Sequence, residues 1–276
     1  MENSSVAPYA FSGKGLKEAS ISEGIVGIGY FAYENNEIEK VSFPNSLIAI
    51  GEGAFRNNDI LELQLPDNVE EIYKGAFFDN LLTNIILSKK VINIDDFAFQ
   101  NNFIETLELP KSVKYIGVQS FACCHLEKII FHKGLKKILD SAFASNQLSS
   151  INIPNSVKYI GKHAFKGNPL NAITIPSSIY VDDNAFDNSI PVAIRIPTSR
   201  QTELWYTKQH DFSKISRSNI NRFNREFLKK VKIGSNVQLG KDVFGKSTFE
   251  EFYKKNKRKP GIYTCENGKD WEYIND

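Results

Sequence analysis

The chain has 276 residues, of which 41% are apolar, 12% aromatic and 24% charged, and its net charge is +2. This ordinary composition excludes an intrinsically disordered or collagen-like chain. With only four histidines, three cysteines and one methionine, the sequence also argues against catalysis and against a disulfide framework.

Charge is distributed unevenly along the chain. Residues 1–199 carry 17 Lys and Arg against 22 Asp and Glu, whereas residues 200–260 carry 16 against 6. We therefore expect two structural parts with a boundary near residue 199. No apolar run approaches the ~20 residues of a membrane-spanning helix. The first residues lack the charged-then-apolar pattern of a signal peptide, which indicates a cytoplasmic protein if this is the full gene product.

An aromatic residue recurs every 22 residues along most of the chain. The aromatic column consists of Phe11, Tyr33, Phe55, Phe77, Phe99, Phe121, Phe143 and Phe165, and Phe186 comes after 21 residues. Three residues after the aromatic lies a polar column, which consists of Asn36, Asn58, Asn80, Asn102, Cys124, Asn146 and Asn168. Each unit reads roughly Leu-x-x-Ile-x-Ile-Pro-x-x-Val-x-x-Ile-Gly-x-x-Ala-Phe-x-x-Asn. A fixed period of this kind is typical of a stacked repeat array.

Each unit predicts one short strand and a turn. Leu63 and Leu65 alternate with a polar residue, as in a half-buried strand, and Pro66 then ends the strand because proline cannot donate to a ladder. The Ile-Gly-x-x-Ala-Phe stretch is too short for a full helix and predicts a tight helical turn or irregular coil. One coil cannot bury its apolar columns alone, whereas nine stacked coils form one continuous core. The asparagine amides, which donate and accept, are expected to satisfy backbone groups of the turns.

The units at residues 153–165 and 109–117 resemble the BspA-like, Treponema-type leucine-rich repeat family, and the resemblance covers residues 9–198 in nine units. It implies an α/β repeat solenoid, a leucine-rich repeat with 22-residue coils and a parallel β-sheet on one face. It also implies a bacterial surface or secreted protein that binds other proteins in an adhesin-like role. The family motif defines no binding residues, so none is carried over.

The C-terminal quarter is interpreted as a cap. We assign residues 1–198 to the solenoid, with about nine coils, and residues 199–276 to a basic capping subdomain that closes its exposed end. Within the cap, residues 231–239 restart a degenerate repeat, and Phe244 falls at the aromatic position. The stretch from Gly261 to Trp271 resembles C-terminal modules of spirochaetal members of the family.

The outward face of the strands is the candidate binding surface, because repeat arrays offer such a face as an extended contact area. Its candidate partner-binding residues are Gln64, Ile86, Glu108, Ile130, Asn152, Thr174 and Arg195. Ile86 and Ile130 are apolar where solvent is expected. We therefore predict a non-enzymatic protein-interaction module without catalytic residues, cofactor or metal. The sequence names neither the protein partner nor the oligomeric state.

Two alternative functions use the C-terminal part. Basic residues at 200–260 could bind an acidic partner, a polyanion or nucleic acid, although a solvated cap surface whose aromatics belong to the core accounts for them better. Residues 240–247 match the phosphate-loop pattern Gly-x4-Gly-Lys-Ser, which would place Lys246 on a phosphate. Against nucleotide binding, Phe244 belongs to the aromatic column and should be buried.

A metal site is the remaining chemical hypothesis. Cys123, Cys124, His125 and His132 lie close in sequence, but their spacing fits no common zinc pattern. Cys124 occupies the asparagine column and His132 the proline position. We therefore interpret these residues as structural replacements within the repeat.

Overall fold

The structure, a computed structural model, describes residues 4–187, 230–240, 242–245, 248–265 and 270–274. In these residues the chain winds into ten stacked coils, numbered here from one to ten by their aromatic residues from Phe11 to Phe244. The predicted leucine-rich solenoid with coils of about 22 residues is thereby confirmed. Coil ten is the degenerate repeat, and it stacks directly on coil nine, with the Phe186 and Phe244 ring centroids 5.8 Å apart.

Each coil contributes up to two short strands. The first strands are β2 (Glu18–Ser20), β4 (Lys40–Ser42), β6 (Glu62–Gln64), β8 (Asn84–Ile86), β10 (Thr106–Glu108), β12 (Lys128–Ile130), β14 (Ser150–Asn152), β16 (Ala172–Ile175) and β18 (Lys230–Ile233). The second strands are β1 (Ser4–Val6), β3 (Ile25–Ile28), β5 (Ala49–Ile50), β7 (Glu71–Ile72), β9 (Asn93–Ile94), β11 (Tyr115–Ile116), β13 (Lys137–Ile138), β15 (Tyr159–Ile160), β17 (Tyr180–Val181) and β19 (Gln238–Leu239). The last elements are helix α1 (Thr248–Lys255), β20 (Gly261–Thr264) and β21 (Glu272–Ile274).

The second strands form the larger sheet. They pair in parallel as one ten-stranded sheet, in the order β1-β3-β5-β7-β9-β11-β13-β15-β17-β19. The first strands pair as β2-β4, β6-β8 and β10-β12, and the last three of them join β20 and β21 in a five-stranded sheet. The sequence predicted one strand in each coil and missed the second. A two-residue strand such as Tyr115–Ile116 is too short to show alternation, and its partners lie one coil away.

Helix is scarce in this solenoid. In the part of the chain that the structure describes, α1 is the only helix, so the fold is mostly β and the α/β class expected from the sequence describes it loosely. The stretch predicted as a tight helical turn begins with the second strand and continues as a turn, as at Gly117–Ala122.

Aromatic rings form the axis of the core. Neighbouring rings stack from Phe11 to Phe244 with centroid separations of 4.9 to 5.8 Å. Phe55, Phe77, Phe99, Phe121, Phe143 and Phe165 have no exposed surface, whereas Phe11, at the open N-terminal end, is 40% exposed. Offset stacking of this kind adds to the burial of large apolar rings.

Asparagine side chains join successive coils, as the sequence predicted. The Asn102 amide donates to the carbonyl oxygens of Phe77 and Phe99, and its Oδ1 accepts the N–H of Leu82. Asn102 is fully buried. In coil six Cys124 takes this position, and its Sγ donates to the Phe99 carbonyl oxygen at 3.0 Å.

Each of the first eight coils has a left-handed backbone at two equivalent positions, one two residues before the aromatic and one two residues after it. Asn35, Asn57 and Asn101 occupy the later position, with φ between 55° and 60°. Asparagine tolerates this conformation better than most side chains. At Gly53, with φ of +59°, a Cβ atom would lie 2.3 Å from the Phe31 ring, so a larger residue there would force that ring to move.

The C-terminal strands that the structure describes extend the row of first strands. β18 lies parallel to β16, with Thr174 in register with Lys232, and antiparallel to β20. The reversal of strand direction ends the parallel array. Beside it, Phe249 packs against Tyr263 and Trp271, and all three side chains are buried. The predicted division at residues 198 and 199 lies outside the described residues and stays a prediction.

Candidate functional site

The candidate surface is the outward side of the first strands, here called the first-strand face. Within it, the middle residue of most first strands is buried and its two neighbours are exposed, as for β6, β8, β10 and β14. The third residues of the first strands form one column of this face, which consists of Ser20, Ser42, Gln64, Ile86, Glu108, Ile130, Asn152, Thr174 and Lys232. The alternation forces these side chains outward because their neighbours along each strand fill the core.

Six of the seven candidate residues lie on this face. Gln64, Ile86, Glu108, Ile130 and Asn152 are exposed, and Thr174 is half-buried. They lie in strand register, with Gln64 beside Ile86, Glu108 beside Ile130, and Asn152 beside Thr174.

Arg195 lies outside the described residues, and the position beside Thr174 is taken by Lys232. The sequence placed Arg195 there because Ile194 and Ile196 continue the apolar columns. Val231 and Ile233 flank Lys232 with the same alternation, and both are buried. A local pattern cannot decide between two segments with the same alternation, because strand pairing is decided by the tertiary fold.

Two isoleucines interrupt the polar character of the first-strand face. The exposed fraction is 52% for Ile86 and 38% for Ile130. They lie two coils apart, which corresponds to about 10 Å at the usual strand spacing. Glu108 lies between them and is in register with Ile130. Two exposed isoleucines therefore lie on either side of one carboxylate on a face whose other outward residues are polar.

Glu108 also meets a histidine at the edge of the face. The Nε2 atom of His132 lies 3.0 Å from Glu108 Oε1, and the two form an ion pair when the imidazole is protonated. His132 holds the position that proline has in other coils, as the sequence indicated. The contact restricts the rotation of the Glu108 side chain.

The cysteine and histidine cluster does not converge on a metal site. The His125 ring is buried and stacks on Phe103 with centroids 5.1 Å apart. Its Nδ1 lies 3.2 Å from Gln147 Nε2, while Cys124 points into the asparagine column. Among the described residues, no three His, Cys, Asp or Glu side chains are grouped as metal ligands.

A groove extends the first-strand face at its C-terminal end, and no pattern in the sequence pointed to it. Its volume is about 650 Å³, and its lining includes Thr174, Pro176, Lys232, Ser235, Pro260 and Tyr273. It forms where β20 and β21 extend the sheet beyond β18. These strands pair over long sequence separations, so the groove could be found only from the tertiary structure.

The aromatic residue of the phosphate-loop match lies in the core. Phe244 is 3% exposed and packs between Phe186 and Phe249. Gly245 approaches Asp187, whose carboxylate would repel a phosphate. The expectation that Phe244 is buried is therefore confirmed, while Lys246 and Ser247 lie outside the described residues.

The second alternative, the basic segment, is described only in part. Residues 200–229 lie outside the described residues. At the end of α1 and just after it, the side chains of Lys255, Lys257, Arg258 and Lys259 are exposed. They lie beyond the end of the coils.

Comparison with known proteins identifies the type of repeat. The BspA type leucine rich repeat region matches residues 2–103 and 70–193, in six copies. No curated protein is significantly similar to the chain. Within the residues that the structure describes, no helix combines the length and apolar character of a transmembrane span.

Several solved structures are similar at low identity. A leucine rich cell surface protein from Faecalibacterium prausnitzii A2-165 is 23% identical, with a TM-score of 0.46, over 71% of this chain and 64% of that chain. A leucine-rich repeat protein from Eubacterium ventriosum ATCC 27560 is 24% identical, with a TM-score of 0.49, over 66% and 54%. The pneumococcal vaccine antigen PcpA is 18% identical, with a TM-score of 0.44, over 85% and 70%.

This chain spans 64% of the Faecalibacterium protein and 54% of the Eubacterium protein. The family match covers well over half of the chain, and the ten coils with their asparagine column have the geometry of a leucine-rich solenoid. The chain therefore belongs to the BspA-type leucine-rich repeat family, whose repeats are non-enzymatic protein-interaction modules.

Proposed function

We propose that the chain binds a protein partner through the first-strand face, at the bacterial surface or outside the cell, in an adhesin-like role. The single observation that carries this proposal is the exposure of Ile86 and Ile130 on a face that is otherwise polar. The extracellular setting rests on the family, whose members are typically surface or secreted proteins.

The composition of the face favours binding by contact. Interfaces commonly combine a few apolar anchors with a polar rim, and the anchors supply most of the affinity. Ile86 and Ile130 would serve as anchors, while Gln64, Glu108 and Asn152 would supply hydrogen bonds around them. Burial of an isoleucine that is half-exposed contributes about 1 kcal/mol to binding, at about 25 cal/mol per Å².

The pairing of the first strands with one another also favours recognition of a partner through side chains rather than through the backbone. The first strands pair with neighbouring coils, as β6 with β8 and β10 with β12, and the array ends in β20 and β21. A partner on this face would therefore meet mainly the outward residues. Their identity changes from coil to coil, which allows specificity.

The test is a quantitative pull-down with the intact chain from extracellular and cytoplasmic extracts, eluted in salt steps. We expect the double variant Ile86→Lys/Ile130→Lys to capture at least tenfold less of the partner than wild type does. Ser20→Lys/Ser42→Lys adds the same charge to the same face at exposed polar positions and should keep the partner. Equal capture by wild type and the isoleucine variant would place binding elsewhere.

Binding of a polyanion by the basic C-terminal segment is the second candidate, favoured by the exposure of Lys255, Lys257, Arg258 and Lys259. Reversing these four charges gives the discriminating variant. If low salt strips the captured material and only the charge-reversed chain fails to bind, the basic segment is the binding site. Such a steep salt dependence is characteristic of polyanion binding.

A further inference from the structure

The outward side of the ten-stranded sheet, here called the second-strand face, also exposes large apolar side chains. It comprises the outward residues at and beside the second strands of coils two to nine. Five of its residues are 38–43% exposed, namely Ile48, Tyr73, Ile92, Tyr115 and Tyr180. The side chains are spread along most of the sheet, so the apolar surface extends along the solenoid axis.

Charge on the second-strand face changes sign halfway along the solenoid. The segments at 22–31, 44–53, 66–75 and 88–97, which carry the second strands of coils two to five, contain seven acidic residues and three lysines. The equivalent segments of coils six to eight, at 110–119, 132–141 and 154–163, contain seven lysines and one acidic residue. One half of the face is therefore acidic and the other half is strongly basic.

The basic half lacks internal neutralisation. Among the described residues, none of its seven lysines forms an ion pair, whereas Lys89 in coil five pairs with Asp67 at 2.8 Å. Lys114, Lys136 and Lys158 lie directly above one another, because the N–H of each of the last two bonds the carbonyl oxygen of the one before. Like charges at this spacing repel, and a nearby anionic surface would relieve the repulsion.

The carboxylates of this region are engaged elsewhere. Asp140 Oδ1 accepts the backbone N–H of Lys162 at 3.0 Å, and Asp182 Oδ2 accepts the Tyr159 hydroxyl at 3.1 Å. Their negative charge is fixed by these bonds at the ends of the second strands. The lysines stay available to a partner.

We propose that the second-strand face binds the same face of a second copy of this chain, with the two solenoid axes antiparallel. A two-fold axis midway along the ten coils sets coil four against coil seven, coil three against coil eight and coil five against coil six. Glu70 and Glu71 of one copy then lie opposite Lys136 and Lys137 of the other. Each such contact occurs twice, as a two-fold interface requires.

The dimensions of the sheet suit a dimer. Ten strands at the usual spacing of ~4.8 Å give a face about 45 Å long. A strip about 18 Å wide along it would bury about 800 Å² on each copy, the size of a standard stable interface. The exposed isoleucines and tyrosines would supply the apolar part of this contact, and the opposite charges would fix its register.

The dimer goes beyond the proposed binding function and does not depend on it. The first-strand face lies on another side of each coil, so the dimer would present two such faces. Two linked sites raise the effective affinity for a multivalent surface.

A charge-swap experiment tests the dimer with the full chain by sedimentation velocity. Wild type is expected to dimerise, and either Lys136→Glu/Lys137→Glu or Glu70→Lys/Glu71→Lys should raise the dimer dissociation constant at least tenfold. An equimolar mixture of the two variants should restore the dimer, because each acidic patch then meets a basic one. This rescue cannot come from misfolded chains, which keeps the test valid if one variant is less stable.

Control variants on the other face sharpen the result. Glu62→Lys and Lys128→Glu change exposed charges of the first-strand face and should leave the dimer intact. A monomeric wild type, or a mixture that stays monomeric, overturns the proposal. Heparin is added to the wild type in parallel, and binding of heparin by a monomer through Lys136 and Lys137 would assign the basic half to an anionic polymer instead.

Discussion

The side-chain nitrogen of Asn102 lies 3.0 Å from the carbonyl oxygen of Phe77, one coil earlier. The same nitrogen lies 2.8 Å from the carbonyl oxygen of Phe99 in its own coil, and Oδ1 accepts the N–H of Leu82 at 3.0 Å. One amide thus satisfies three backbone groups from two coils. The relationship repeats along the asparagine column and fixes the stacking of the solenoid.

Removing this amide should destabilise the whole array. We expect Asn102→Ala to lower the free energy of unfolding by about 2–4 kcal/mol, because buried backbone groups lose their partners. Urea denaturation followed by circular dichroism measures the loss. Asn84→Ala, at an exposed position of the first-strand face, is the control and should change stability by about 0.5 kcal/mol or less. A similar small effect at both positions would contradict the role given to Asn102.

The aromatic stack predicts that the loss of stability on removing a ring depends on the position of that ring in the stack. Phe121 is fully buried between Phe99 and Phe143, with ring centroids 5.2 and 5.6 Å away. We expect Phe121→Ala to cost about 3–5 kcal/mol through lost burial and a cavity. Phe11→Ala removes the same side chain at the open end of the stack, where it is 40% exposed, and should cost about 1 kcal/mol. Equal losses in denaturation would show that the end of the stack is as well packed as its middle.

Tyr159 predicts a change of stability at high pH. Burial, together with the weaker effect of the hydrogen bond to Asp182, raises the pKa of the Tyr159 phenol from 10.0 to about 12. The folded state therefore holds a proton that the unfolded state releases, so this contribution is complete below pH 10 and is lost as the pH rises to 12. The stability difference between wild type and Tyr159→Phe should shrink between about pH 10 and pH 12.

Phenolate absorbance gives an independent measurement of the same group. The difference titration between wild type and Tyr159→Phe should have its midpoint near pH 12. Asp182→Asn, which removes the carboxylate acceptor, should move that midpoint down. A midpoint near 10 in the wild type would rule out the burial and bonding described for this phenol.

The buried position of Phe244 predicts that nucleotide does not change the thermal stability of the chain. Because Phe244 is packed in the core, we expect ATP with magnesium to leave the melting temperature unchanged in wild type and in Lys246→Ala. Thermal unfolding with and without nucleotide provides the measurement. A nucleotide-dependent rise that Lys246→Ala abolishes would restore the nucleotide-binding hypothesis, since ligand binding to the native state stabilises it.

The candidate surface was accessible to sequence reasoning because each coil repeats the same alternation. Leu63 lies in the core, so Gln64 must face outward, and the same reasoning places Ile86 and Ile130. The second-strand face was missed for the opposite reason. Tyr115 and Lys137 belong to strands of two residues, whose exposure depends on hydrogen bonds to other coils.

The charge division of the solenoid was present in the sequence but is concealed when charges are summed over the first 199 residues. Residues 111–163 contain eight lysines and only two acidic residues, within a segment whose overall balance is negative. The 22-residue spacing of Lys114, Lys136 and Lys158 is a signal that could have revealed the lysine column.

The 22-residue period is enough to define the coil, its length and its core, because it assigns Phe121, Asn102 and Leu63 to positions that every coil repeats. How the array continues beyond coil nine depends instead on the three-dimensional fold. Lys232 of β18 lies beside Thr174 of β16, and β20 pairs with β18 in the antiparallel direction. A period fixes contacts between equivalent residues of neighbouring coils, whereas pairing across a long insertion depends on which of several similar strands fits the exposed end of the stack.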